Sequence, residues 1–139
     1  MSKALSYLSL ARKAGLAELG EEPVGAAARA GKACLILVAS DAGDHTWRRA
    51  NSFVAGTDQK CIRLEVTKDE LGQAIGRTSL ALAAVTDVSM ALALVQALDC
   101  PERCGDILET LKEKKEKAKK RQAENKAHKR NVRMSKVKK

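Results

Sequence analysis

Apolar positions recur at helical spacing, then in short runs, and the two patterns alternate as far as Leu98. Leu5, Leu8 and Ala11, with Ala4 and Tyr7, form one stripe, while Lys3, Arg12 and Lys13 fall outside it. This predicts a helix from Ser2 or Lys3 to Ala14, ended by Gly15. Leu16 to Leu19 reads as a short extended piece. A second helix follows: Gly20 permits a turn, Glu21 and Glu22 suit the positive end of a helix dipole, and Pro23 fits the first turn. Val24, Ala27 and Ala28 share its apolar face, and Gly31 is placed to end it. Ala33 to Ala39 is unbrokenly apolar, as in a strand covered on both faces.

The alternation continues beyond Asp41, which reads as a structural residue turning the strand end into the next helix. Asp44 is a plausible N-cap for a helix to about Ala55, with Trp47, Ala50 and Val54 inward and Arg48 and Arg49 more exposed. Cys61 to Val66 alternates, with Ile62, Leu64 and Val66 on one face and Arg63 and Glu65 on the other. Thr67 to Glu70 is a capping box, with Leu71, Ala74 and Ile75 behind it and Gly76 as the stop. Leu80 to Val85 predicts the last strand, and Thr86 or Asp87 caps a helix burying Leu92, Val95 and Leu98. Thr86-Asp87 also breaks the apolar stretch 80–98, which favours strand plus helix over a membrane span. The expected fold is a three-layer α/β/α sandwich with a parallel or mixed sheet of about four strands. Asp99 to Pro101 marks a boundary between a domain at 1–99 and a charged tail at 100–139. Ile107, Leu108 and Leu111 are able to dock a further helix on the domain. Beyond them no Leu, Ile or Phe occurs, so the rest reads as a free helix or a disordered arm. Glu113–Lys117 and Glu116–Lys120 are i,i+4 pairs that lend it modest helicity.

Charge sharpens this division. The 139 residues carry a formal +9, but residues 112–139 hold 14 Lys/Arg against three acids, so the rest is slightly acidic. A cationic tail on a near-neutral body favours nucleic acid or another anionic surface. Cys34 and Cys61 fall in predicted strands and read as small core residues, while Cys100 and Cys104 lack a matching second pair for zinc. No signal-peptide core is evident, so the expected compartment is reducing and cytoplasmic, with free thiols.

No phosphate-binding glycine loop, zinc-protease helix motif or nucleophile elbow occurs, so the expectation is a protein that is not an enzyme and uses no cofactor or metal. Asp44-His45 has no nucleophile paired with it in sequence. The single Trp, Tyr and Phe are expected in the core, which leaves no evident base-stacking platform.

Gly20…Gly31, then ACLILVASD, TKDELGQAIGR and LALAAVTD, resemble the L-seven-Ae / L-thirty-e ribosomal protein family, most of all its bacterial YlxQ-like branch. The likeness covers roughly residues 3–98. It implies an α/β/α sandwich that binds kink-turn RNA, without reaction or cofactor. The family's signature at this helix start is Gly-x-Asn-Glu-x-x-Lys. Gly20 matches its Gly, whereas Glu22 falls on the Asn, Pro23 on the Glu and Ala26 on the Lys. Glu22 still accepts from a guanine amino group but repels phosphate; the corner is either an RNA contact or a structural turn. The family's second contact corresponds to Gly76-Arg77-Thr78-Ser79, where Arg77 suits a phosphate; the other reading is a C-cap glycine beside a solvated arginine.

The expected partner is thus ribosomal or other structured RNA, with ribosome association and no membrane. Its candidate contacts are Gly20, Glu21, Glu22, Lys32, Gly76, Arg77 and Thr78 on the body, with Arg48 and Arg49 as further basic candidates. On the tail they are Lys114, Lys115, Lys117, Lys119, Lys120 and Arg121. The rival expectations are a protein-interaction adaptor whose tail gives only non-specific nucleic-acid affinity, and an RNA-modifying enzyme, for which the chain after Leu98 is too short and too charged.

Overall fold

The computed structural model describes residues 2–98 and 105–120. The boundary at 99–101, Cys100, Cys104 and the tail from Arg121 onward lie outside the described residues. The elements are α1 (Ser2–Lys13), β1 (Ala17–Leu19), α2 (Glu21–Arg29), β2 (Leu35–Val38), α3 (Asp44–Val54), β3 (Lys60–Arg63), α4 (Lys68–Ala74), β4 (Leu82–Val85) and α5 (Val88–Leu98). A last helix, α6, covers residues 105–120.

The sheet order is β1-β4-β2-β3. β4 runs antiparallel to both β1 and β2, while β2 and β3 are parallel, so the sheet is mixed. Every residue of β2 and β4 is buried, which requires helices on both faces. α1, α4 and α5 pack together, α2 packs on α3, and the sheet lies between the two groups as a three-layer sandwich. α1 turns Ala4, Leu8 and Ala11 inward, α5 turns Ala91, Leu92, Leu94 and Val95 inward, and α6 adds Ile107 and Leu111 to the same core.

The strands are shorter than the apolar runs suggest. β3 leaves the ladder after Arg63 because its partner β2 ends opposite it at Val38. Leu64 and Val66 stay buried beyond the ladder, and their backbones still bond Val38 and Ser40. Leu16–Leu19 closes into the edge strand β1. Three further expectations are corrected. The α3 N-cap is Gly43, and Asp44 sits in the first turn without a side-chain cap bond. Cys34 and Cys61 are half-buried, and Cys34 stands just before β2. Tyr7, Trp47 and Phe53 are half-buried, because each sits at the margin of a helix stripe whose centre is filled by smaller residues.

Polar links set the ends of the elements. Thr67 and Glu70 form the expected capping box at α4. Asp41 accepts from the Lys68 N–H at 2.7 Å, so the carboxylate after β2 caps α4 and not the helix that follows it. Asp87 accepts from the Met90 N–H at 2.9 Å and starts α5.

Gln59 is a buried polar residue that periodicity does not reveal. Its Oε1 accepts from the Ala33 N–H at 3.0 Å, and its Nε2 donates to the Ala28 carbonyl at 3.1 Å. One side chain thus ties the end of α2 and the approach to β2 to the segment before β3. Gln59→Leu leaves the Ala33 N–H buried without an acceptor and is expected to cost about 2 kcal/mol. Urea unfolding measures this, and an unchanged midpoint rejects the link.

Candidate nucleic-acid interface

Because β1 and β4 are antiparallel, the end of β1 meets the start of β4. Gly20 donates its N–H to the Leu82 carbonyl at 3.1 Å, with φ of 93° as the N-cap of α2. Val24 donates back to the Gly20 carbonyl at 3.1 Å. The N–H groups of Glu21 and Glu22 precede the first intrahelical bond and point out of the helix start. Pro23 takes the third position, where an N–H would otherwise project. Glu22, Pro23 and Ala26 are all exposed, so the three departures from the family signature lie on the outer surface of α2.

The segment 76–79 leads into β4 from the same end of the sheet. Gly76 (φ 76°) donates to the Gln73 carbonyl at 3.3 Å and Arg77 to the Gly72 carbonyl at 2.8 Å. This is a Schellman closure, and it accounts for the glycine through the end of α4. The Arg77 backbone is thereby occupied, but its side chain and that of Thr78 are exposed. Leu80 donates to the Lys68 carbonyl at 2.9 Å, and the Ser79 backbone lies directly over Gly72. The Gly20 corner and the 76–79 loop are therefore held at one end of the sheet.

The other candidates lie elsewhere. Lys32 closes α2, donating its N–H to the Ala27 carbonyl at 2.9 Å, and its exposed side chain stands at the opposite end of the sheet. Lys114 Nζ meets Asp58 at 3.4 Å, with the lysine side chain only 20% exposed. Asp58 precedes β3, so α6 is anchored at that same opposite end. Lys114 faces the body. Lys115 is half-buried, whereas Lys112, Lys117, Lys119 and Lys120 are exposed. Arg121 lies outside the described residues.

Arg49 is brought to the Gly20 corner: its Nε lies 2.7 Å from Glu21 Oε1, joining α3 to the start of α2. Its link to Glu21 spans 28 positions and has no local sequence signal. Burial pushes the Cys34 thiol above its ordinary range; Lys114 opposes the shift, and Asp87 and Asp58 add to it. Burial does the same to Cys61. Both thiols are thereby poorer nucleophiles. Among the described residues no cluster of three His, Cys, Asp or Glu side chains is arranged to hold a metal ion, and no helix is long and apolar enough to cross a membrane.

No family model and no curated protein matches this chain. Among solved structures, the chain is similar to a protein of unknown function from Bacillus halodurans, with a TM-score of 0.66 and 29% identity, over 72% of this chain and 100% of that one. It also shares its fold with the Giardia lamblia 15.5kD RNA binding protein, with a TM-score of 0.58 and 14% identity, over 70% of this chain and 82% of that one.

Proposed function

We propose that this chain is a non-enzymatic RNA-binding protein of the L-seven-Ae / L-thirty-e type, acting in the cytoplasm on ribosomal or other structured RNA. The observation that carries the reading is the convergence of Gly20–Glu22 and Gly76–Thr78 at one end of the sheet, on a fold shared with the Giardia protein named for RNA binding. The loops present shape and a few polar contacts, and the exposed lysines of α6 with the chain after it supply charge. Kink-turn RNA is the structured element this corner fits, through the exposed N–H groups at the start of α2.

The test compares a kink-turn RNA with a straight duplex of equal length, titrated at low salt. The kink-turn is expected to bind more tightly. Glu22→Asn, Pro23→Glu and Ala26→Lys together are expected to widen the difference, since each good polar contact contributes on the order of 1 kcal/mol. All three positions are exposed, so the fold tolerates the change. Equal affinity for both RNAs rejects kink-turn recognition. No affinity for either, with a protein partner that survives nuclease treatment, moves the protein to the adaptor class.

A further inference from the structure

The seam between α2 and α3 borders the Gly20 corner and belongs to neither of the contacts above. Gly25 of α2 faces Phe53 of α3, and a β-carbon on Gly25 would stand 3.0 Å from the ring's Cζ. The missing side chain lets the ring lie against α2, and Phe53 remains only half-buried. Arginines of both helices lie close by. The guanidinium of Arg49 lies over the ring, 5.8 Å from its centroid. Arg29 Nη1 comes within 3.7 Å of the same Gly25 β-position. Arg48 joins Arg49, His45 and Ser52 in rimming an open hollow on the Phe53 side of α3.

The Arg49–Glu21 pair is close, but its side chains are 50% and 42% exposed. Water screens such a pair, so a phosphate oxygen replaces the carboxylate at little cost. Flexible cations beside an aromatic ring suit an unpaired nucleotide: guanidinium groups take the phosphates, and the base stacks on a ring or on a guanidinium plane. A base inside a duplex is not available for that stacking.

We infer that the α2–α3 seam is a single-strand RNA site, in which Arg29, Arg48 and Arg49 take phosphates and the Arg49–Phe53 pair stacks a base. It receives the strand leaving a structured element held at the Gly20 corner, and so rests on the RNA-binding reading. Glu21 is the internal competitor that holds Arg49 until phosphate replaces it.

The test uses the full chain and an oligouridylate of about 12 nucleotides, within the range of single-strand site sizes. Ultraviolet crosslinking followed by trypsin is expected to place a nucleotide adduct in the peptide of residues 50–60, which contains Phe53. Arg29→Gln with Arg48→Gln and Arg49→Gln is expected to weaken oligouridylate binding about tenfold and flatten its salt slope by about 2, at roughly 0.7 per phosphate engaged on single strands. Duplex affinity falls less than oligouridylate affinity, and Glu21→Gln tightens oligouridylate binding severalfold. An unmodified 50–60 peptide together with a wild-type slope in the triple variant overturns the site. Displacement by oligoglutamate as readily as by oligouridylate also overturns it, because the seam is then a plain cation patch. Retained kink-turn binding in either case leaves the RNA-binding reading standing; loss of all RNA binding removes both.

Discussion

Replacing Gly72 by alanine is expected to lower the unfolding free energy by about 3 kcal/mol, the upper part of the usual range for overpacking. An added β-carbon would sit 2.6 Å from Ser79 Cα and 2.7 Å from Ser79 N. These are backbone atoms, which have no rotamer to escape into. The segment is also pinned on both sides, by Arg77 N–H to the Gly72 carbonyl at 2.8 Å and by Leu80 N–H to the Lys68 carbonyl at 2.9 Å. Alanine in a helix interior gains about 1 kcal/mol over glycine, which the clash outweighs. Thermal unfolding reads the net effect as a fall in Tm of roughly 10 °C. A midpoint at or above that of the unsubstituted protein rejects the close packing of α4 on the 76–79 segment. Relief of the clash by moving Ser79 also displaces Arg77 and Thr78, so RNA affinity should fall even where the variant remains folded.

Neutralising the arm is expected to have the largest effect on binding. Lys115, Lys117, Lys119, Lys120 and Arg121, all changed to Gln, remove five cations and leave Lys114 to hold α6 on Asp58. Each phosphate that is no longer neutralised flattens the dependence of log affinity on log salt by about 0.7–0.9. A slope shallower by about 4 and an affinity about 100-fold weaker at low salt are therefore expected. Titrations across a salt series measure both. Equal slopes for the variant and the parent show that the arm does not hold RNA and that affinity resides in the body.

The fold is legible in the sequence because burial here follows periodicity. The runs around Leu35–Val38 and Leu82–Val85 are apolar at every position, as a doubly covered sheet requires, and the Thr67–Glu70 capping box marks its helix without ambiguity. Strand ends are less legible, since the end of β3 depends on where its neighbour stops. Asp41 reads as structural from its place after an apolar run, and it is, but its partner is Lys68, 27 residues on. Gln59, Gly25 and Gly72 carry no visible signal, because their importance lies in what faces them from another element. The candidate site divides in the same way. Gly20 and the 76–79 loop stand out through likeness to a family motif, whereas Arg49 reaches the corner only once α3 packs on α2. Position along the chain also groups all the tail lysines together, although Lys114 meets Asp58 and Lys115 is half-buried, while Lys117, Lys119 and Lys120 are exposed.

The docking of Lys114 on Asp58 sets a lower limit on ligand size. The rung joining Ala17, Val85, Leu35 and Lys60 marks one end of the sheet, and the Gly20 corner stands beyond the other. On the proposed reading, an RNA no longer than the strands that sits on the Gly20 corner does not also reach Lys114. The RNA footprint that would engage both the corner and Lys114 on that reading is fixed by the height of the body.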